Sequence, residues 1–94
     1  MAQRPIAPGR RTYLVEHYRP GMPVQELKRS TALIRDTVAR MAQEGEQVEL
    51  VSSTVVPHDE YFLSILNAAS EQLVREAFAR ADIPFERISI ALEG

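Results

Sequence analysis

Both histidines of the chain stand beside carboxylates. His17 follows Glu16, and His58 precedes Asp59 and Glu60. Imidazole and carboxylate together suit divalent nickel, zinc or copper better than calcium or magnesium. A metal site built from His17, His58 and one or two of the three carboxylates is therefore one interpretation. The other is structural: His58 is a solvated loop residue, and His17 is a strand-end residue hydrogen-bonded to a carboxylate.

Glu16 and Arg87 suggest a different chemistry. If the strands that carry them are neighbours, the arginine keeps the carboxylate ionised and pins the two strands together. The functional alternative makes Glu16 a general base in a pocket between two sheets. The aromatic side chains available as walls of such a pocket are Tyr13, Tyr18, Tyr61 and Phe62. Both interpretations stay open at this point.

Composition argues against several function classes. The absence of cysteine removes disulfides, thiolate metal sites and cysteine nucleophiles, and it suits a reducing cytoplasm. A net charge of −2 creates no positive field, so neither nucleic acid nor a membrane surface is an expected partner. No apolar run is long enough to cross a bilayer, and the chain lacks a glycine-rich phosphate loop and a serine elbow. These absences favour a protein that is not an enzyme.

Hydrophobic periodicity predicts four strands and two helices. Their predicted order is strand 12–18, helix 23–44, strand 48–55, strand 61–66, helix 70–81 and strand 87–92. Pro23 is expected in the first turn of the first helix, Gly45 just past its end, and Ser70 as the N-cap of the second. The apolar face of the first helix is expected to consist of Val24, Leu27, Thr31, Ile34, Val38 and Met41.

This order predicts an α+β ferredoxin-like βαββαβ fold, with both helices on one face of a four-stranded antiparallel sheet of order 4-1-3-2. Residues 12–94 form the single domain, and residues 1–11 are expected to be a flexible N-terminal tail. The end of strand one lies beside the starts of strands three and four. Glu16, His17, Glu60 and Arg87 are therefore expected at a common rim of the sheet.

The sheet face opposite the helices is expected to be uncovered and apolar. Strands one and three carry bulky side chains on both faces, so this holds for either parity. An apolar patch of that kind on a small protein usually forms an interface. We therefore predict a homodimer packed sheet to sheet.

An ordered set of residues resembles a family of small bacterial proteins described as nickel-responsive or nickel-binding, a domain of otherwise unknown function. The residues that match its pattern are Glu16, Pro20, Gly21, Ser53, Pro57, Glu60, Pro84 and Arg87, and the resemblance covers roughly residues 12–93. It implies a ferredoxin-like fold, a dimer and transition-metal binding. The chain departs from the family at His17, where arginine is common, and at Tyr61 and Phe62, where many members carry cysteine.

Three functional hypotheses follow. The first is a dimeric module that binds a divalent metal, with nickel suspected, through His17, His58, Glu16, Asp59 and Glu60. The second is a cofactor-free enzyme or small-molecule binder of the dimeric α+β barrel type, with Glu16 as the base and Arg87 beside it. The third is a plain protein-interaction module.

Overall fold

The computed structural model describes residues 9–92. Its elements in chain order are β1 (Arg11–Tyr18), α1 (Val24–Gln43), β2 (Val48–Val56), β3 (Tyr61–Ala68), α2 (Glu71–Ala81) and β4 (Arg87–Ile90). The sheet is antiparallel with the order β2-β3-β1-β4, and both helices lie on one of its faces. The predicted ferredoxin-like α+β fold is therefore confirmed. Most of the predicted tail, residues 1–8, falls outside the described residues.

The turn that follows β1 sets the start of α1. The N–H of Met22 donates to the carbonyl of Arg19 at 3.2 Å, across Pro20 and Gly21. Gly21 adopts φ +79°, the left-handed value that a type II turn requires at its third residue. Pro23 is then the N-cap of α1 in extended conformation, one residue earlier than expected.

The buried face of α1 is close to the predicted one. Leu27, Ile34, Val38 and Met41 are buried as expected. Val24 is exposed instead, at the first residue of the helix. Thr37 is buried although the sequence does not predict it, and its hydroxyl is satisfied within the helix because it donates to the carbonyl of Leu33 at 2.8 Å.

The ends of the helices confirm the predicted capping. Gly45 follows α1 with φ +96°, and its N–H donates to the carbonyl of Ala42. The Ser70 hydroxyl accepts a hydrogen bond from the N–H of Leu73 at 3.3 Å, which caps α2. Within residues 9–92, no helix is long and apolar enough to cross a membrane.

Strand alternation divides the side chains of the sheet between two faces. On β1, the side chains of Tyr13, Val15 and His17 are buried on the helix-covered face. On β3, Phe62 and Leu66 share that face. Together with the helices they form one core. The residues between them point to the uncovered side, which we call the open face. Its members on the central strands are Thr12, Leu14, Glu16, Tyr18, Tyr61, Leu63, Ile65 and Asn67.

Ile34 and Leu33 are adjacent on α1 but differ in burial, which tests the orientation of the helix. Ile34 is fully buried, whereas Leu33 is 45% exposed. We expect Ile34→Ala to lower the free energy of unfolding by about 3 kcal/mol, because it leaves a cavity. Leu33→Ala should change it by about 0.5 kcal/mol or less. Urea unfolding measures both, and equal losses would contradict this orientation of α1.

Candidate functional site

Glu16 lies near the middle of the open face, on a central strand. It is opposite Leu63 of β3 on one side and opposite Arg87 of β4 on the other. Its side chain is 22% exposed, whereas that of Arg87 is 70% exposed. Because β1 is paired on both sides, the backbone that carries the carboxylate is fixed.

Both oxygens of the Glu16 carboxylate accept hydrogen bonds. The Arg87 Nε donates to Oε2 at 2.9 Å, and the Tyr61 hydroxyl donates to Oε1 at 3.2 Å. The ion pair expected between Glu16 and Arg87 is thus present. The sequence predicts Tyr61 only as a wall of a pocket between two sheets, and not as a hydrogen-bond donor to Glu16. Its position two residues before Leu63 places it on the same face as Glu16, a relation that becomes visible once the register is known.

These contacts set the protonation of both acids. The hydrogen bond from Arg87 lowers the pKa of Glu16 below its usual value, and it outweighs burial, which acts in the opposite direction. Burial first, and then the hydrogen bond to Glu16, raises the pKa of Tyr61. At neutral pH the carboxylate is therefore ionised and the phenol is protonated. A carboxylate with a lowered pKa is a weak general base.

His17 lies on the opposite face from Glu16, inside the core. Its ring stacks on Phe62, with centroids 4.0 Å apart, and lies 4.8 Å from Phe78. Its Nδ1–H donates to the carbonyl of Pro84 at 3.0 Å, whereas Nε2 has no hydrogen-bond partner. The prediction that His17 shares a rim of the sheet with Glu16 and Glu60 is therefore wrong, because the alternation of side chains along β1 turns the imidazole towards the helices. Its partner is also a carbonyl and not a carboxylate.

The remaining predicted ligands lie at the tip of the β2–β3 hairpin. His58 and Asp59 belong to a single exposed 3-10 turn, Pro57–Asp59, and Glu60 follows it in the left-handed conformation with φ 52°. The Glu60 carboxylate accepts a hydrogen bond from the backbone N–H of Gly21.

These residues also border a depression in the surface. The concavity has a volume of about 520 Å³. We call it the hairpin concavity, and it is lined by Tyr18, His58, Asp59, Glu60 and Tyr61.

The predicted metal site does not fit one copy of the chain. Within residues 9–92, no group of three or more histidine, aspartate or glutamate side chains could hold a metal ion. His17 is sealed among aromatic rings, and Glu60 is engaged by Gly21. Nickel binding thus stays a prediction that rests on the resemblance.

Comparisons with known proteins add no identification. Neither the protein-family models, nor the curated proteins, nor the solved structures include a match to this chain. Function has to be inferred from the geometry of the open face and of the hairpin concavity.

The buried His17 should make stability depend on pH. Burial lowers its pKa from 6.5 to about 4, although the Pro84 carbonyl acts in the opposite direction, and the charge of Arg19 lowers it slightly further. Between these values the unfolded chain binds a proton that the folded chain does not, so acid favours unfolding. From pH 6.5 down to 4, we expect this group to cost about 3 kcal/mol of unfolding free energy.

Urea unfolding at several values between pH 7 and 5 measures this slope above the range where carboxylates titrate. His17→Phe should flatten the slope, and the exposed His58→Ala serves as the matched control that keeps it. A slope that disappears in His58→Ala and persists in His17→Phe would contradict the assignment.

Proposed function

We propose that the chain is a homodimeric binding protein for a small molecule, with two open faces packed against each other and the ligand site near Glu16. The observation that carries this proposal is a carboxylate fixed by Arg87 and Tyr61 on a sheet face where Leu14, Leu63 and Ile65 form an apolar centre. The proposal keeps the dimeric α+β barrel arrangement of the second hypothesis and replaces its base chemistry with binding.

The apolar part of the open face supports dimerisation. Leu14 and Ile65 are directly opposite each other on β1 and β3, and Leu63 is the next residue along on that face. All three side chains are only half-buried within one copy. Side chains of this kind remain partly in water within one chain, and a second copy would remove them from it.

The state of Glu16 supports binding over catalysis. A general base works best when its pKa lies near the working pH, and burial without a partner is the usual way to raise it. Arg87 has the opposite effect on Glu16. Each carboxylate oxygen nevertheless has more than one lone pair, so a donor group of a ligand can still bind there.

The pKa of Glu16 distinguishes a binding site from a base. NMR titration of the carboxyl carbons should place it below the ordinary value of 4.5 in the wild-type protein. In Arg87→Gln the pKa should rise, because desolvation remains and the largest lowering contact is lost. A wild-type pKa near 7 would favour the enzyme hypothesis instead.

The dimer is tested by placing a charge on the open face. Ile65→Glu should shift the sedimentation coefficient to that of a monomer, because the carboxylate would be buried without a partner. Leu33→Glu, on the exposed side of α1, is the matched control and should stay dimeric. Circular dichroism checks that both variants are folded. A wild-type protein that sediments as a monomer at micromolar concentration would refute the dimer.

A further inference from the structure

The hairpin concavity combines two aromatic rings with two carboxylates. Tyr18 and Tyr61 are directly opposite each other on β1 and β3, and both face the open side of the sheet. Asp59 and Glu60 border the same depression, and no lysine or arginine lines it. Its volume of about 520 Å³ lies within the range of ordinary small-molecule sites.

Several hydrogen bonds hold this lining in place before any ligand arrives. The Tyr61 hydroxyl donates to Glu16, which fixes the ring. The N–H of Arg19 donates to the carbonyl of Glu60 at 2.7 Å, and the N–H of Gly21 donates to its carboxylate. The β1–α1 turn and the hairpin tip are thereby tied to each other. A lining ordered in advance lowers the entropy that binding costs.

The charge of the lining selects the class of ligand. An anion would meet two carboxylates, and the lining offers it the imidazole of His58 but no lysine or arginine. A metal ion needs a set of oxygen or nitrogen ligands that the described residues do not assemble. An organic cation needs neither a positive side chain nor a set of metal ligands. Aromatic faces attract it through their quadrupoles, and nearby carboxylates supply the opposite charge.

We propose that the hairpin concavity binds a small organic cation, a primary or quaternary ammonium, between the rings of Tyr18 and Tyr61 and the carboxylates of Asp59 and Glu60. This proposal deepens the proposed function and rests on it, since it specifies the ligand at a concavity joined to Glu16 through the Tyr61 hydroxyl. Asp59 supplies charge from an exposed side chain, whereas Glu60 supplies the carboxylate nearest to the tied turns.

The other depressions of the described surface offer different chemistry. One, of about 370 Å³ between α1 and β2, is bordered by Arg10 and Arg35. Another, of about 360 Å³ beside the α2–β4 connection, has an apolar lining with Arg75 and Asp82 at its border. Neither combines several aromatic rings with an excess of carboxylates.

The experiment compares choline with 3,3-dimethylbutan-1-ol, a neutral molecule of nearly the same shape. Both are titrated into the wild-type protein while the amide resonances of β1, β3 and the hairpin tip are followed by NMR. We expect choline to bind about ten-fold more tightly than the alcohol, because only the charge differs. Equal affinities, or no shifts at the hairpin tip with choline, would overturn the proposal.

Variants assign the binding to the proposed residues. Tyr18→Leu and Asp59→Asn should each weaken choline binding several-fold. Glu26→Gln, which removes a partly exposed carboxylate from α1, is the matched control and should bind choline as the wild-type protein does. Unchanged binding in both test variants would overturn the site. So would nickel chloride shifting the hairpin-tip resonances when choline does not.

Sedimentation of the same wild-type sample separates this proposal from the proposed dimer. A dimer that does not bind choline would refute the organic-cation ligand and leave the homodimer standing. A monomer that binds choline at the hairpin tip would refute the homodimer and retain the ligand class.

Discussion

The pairing of β1 on both of its edges is the constraint on which the rest of the structure depends. β1 is hydrogen-bonded to β3 along its length and to β4 along its middle, from Tyr13 to Glu16. It cannot rotate or slip without breaking two ladders and moving its apolar side chains out of the core. Its alternation is therefore fixed. His17 must face the helices, and Glu16 must face the open side beside Arg87.

This constraint gives two adjacent ionisable groups opposite electrostatic environments. His17 is buried among Phe62, Phe78 and a single carbonyl, so its charged form is disfavoured. Glu16 has a cation and a hydroxyl as donors, so its charged form is favoured. One residue thus contributes packing and the other contributes a fixed negative charge. Adjacent residues of a strand point to opposite faces of the sheet. Strand geometry, and not residue type, therefore decides that His17 is buried and that Glu16 faces the open side.

The sequence was sufficient to predict the order of elements, the topology and the contact between Glu16 and Arg87, because these depend on periodicity and on which strands pair. It was not sufficient to place His17. β1 carries bulky apolar side chains on both faces, so hydrophobic pattern alone leaves the parity open. The hydrogen bonds from Tyr61 to Glu16 and from Gly21 to Glu60 also escaped prediction. Both depend on exact register and on the left-handed conformation of Glu60, which tertiary packing determines.

The open face is divided along β1 and β3, and this division decides what kind of interface it can form. Its first half presents Leu14 and Ile65 beside Thr12 and Asn67, two polar side chains that already hydrogen-bond to each other. Its second half carries Glu16 with Arg87, an ion pair that would lose more by desolvation than it regains if it were sealed between two sheets. A dimer that packs closely on the apolar half can leave the polar half in contact with solvent. In such a dimer, dimerisation and ligand access would use different parts of one surface, and the tyrosines would lie on the side that stays open.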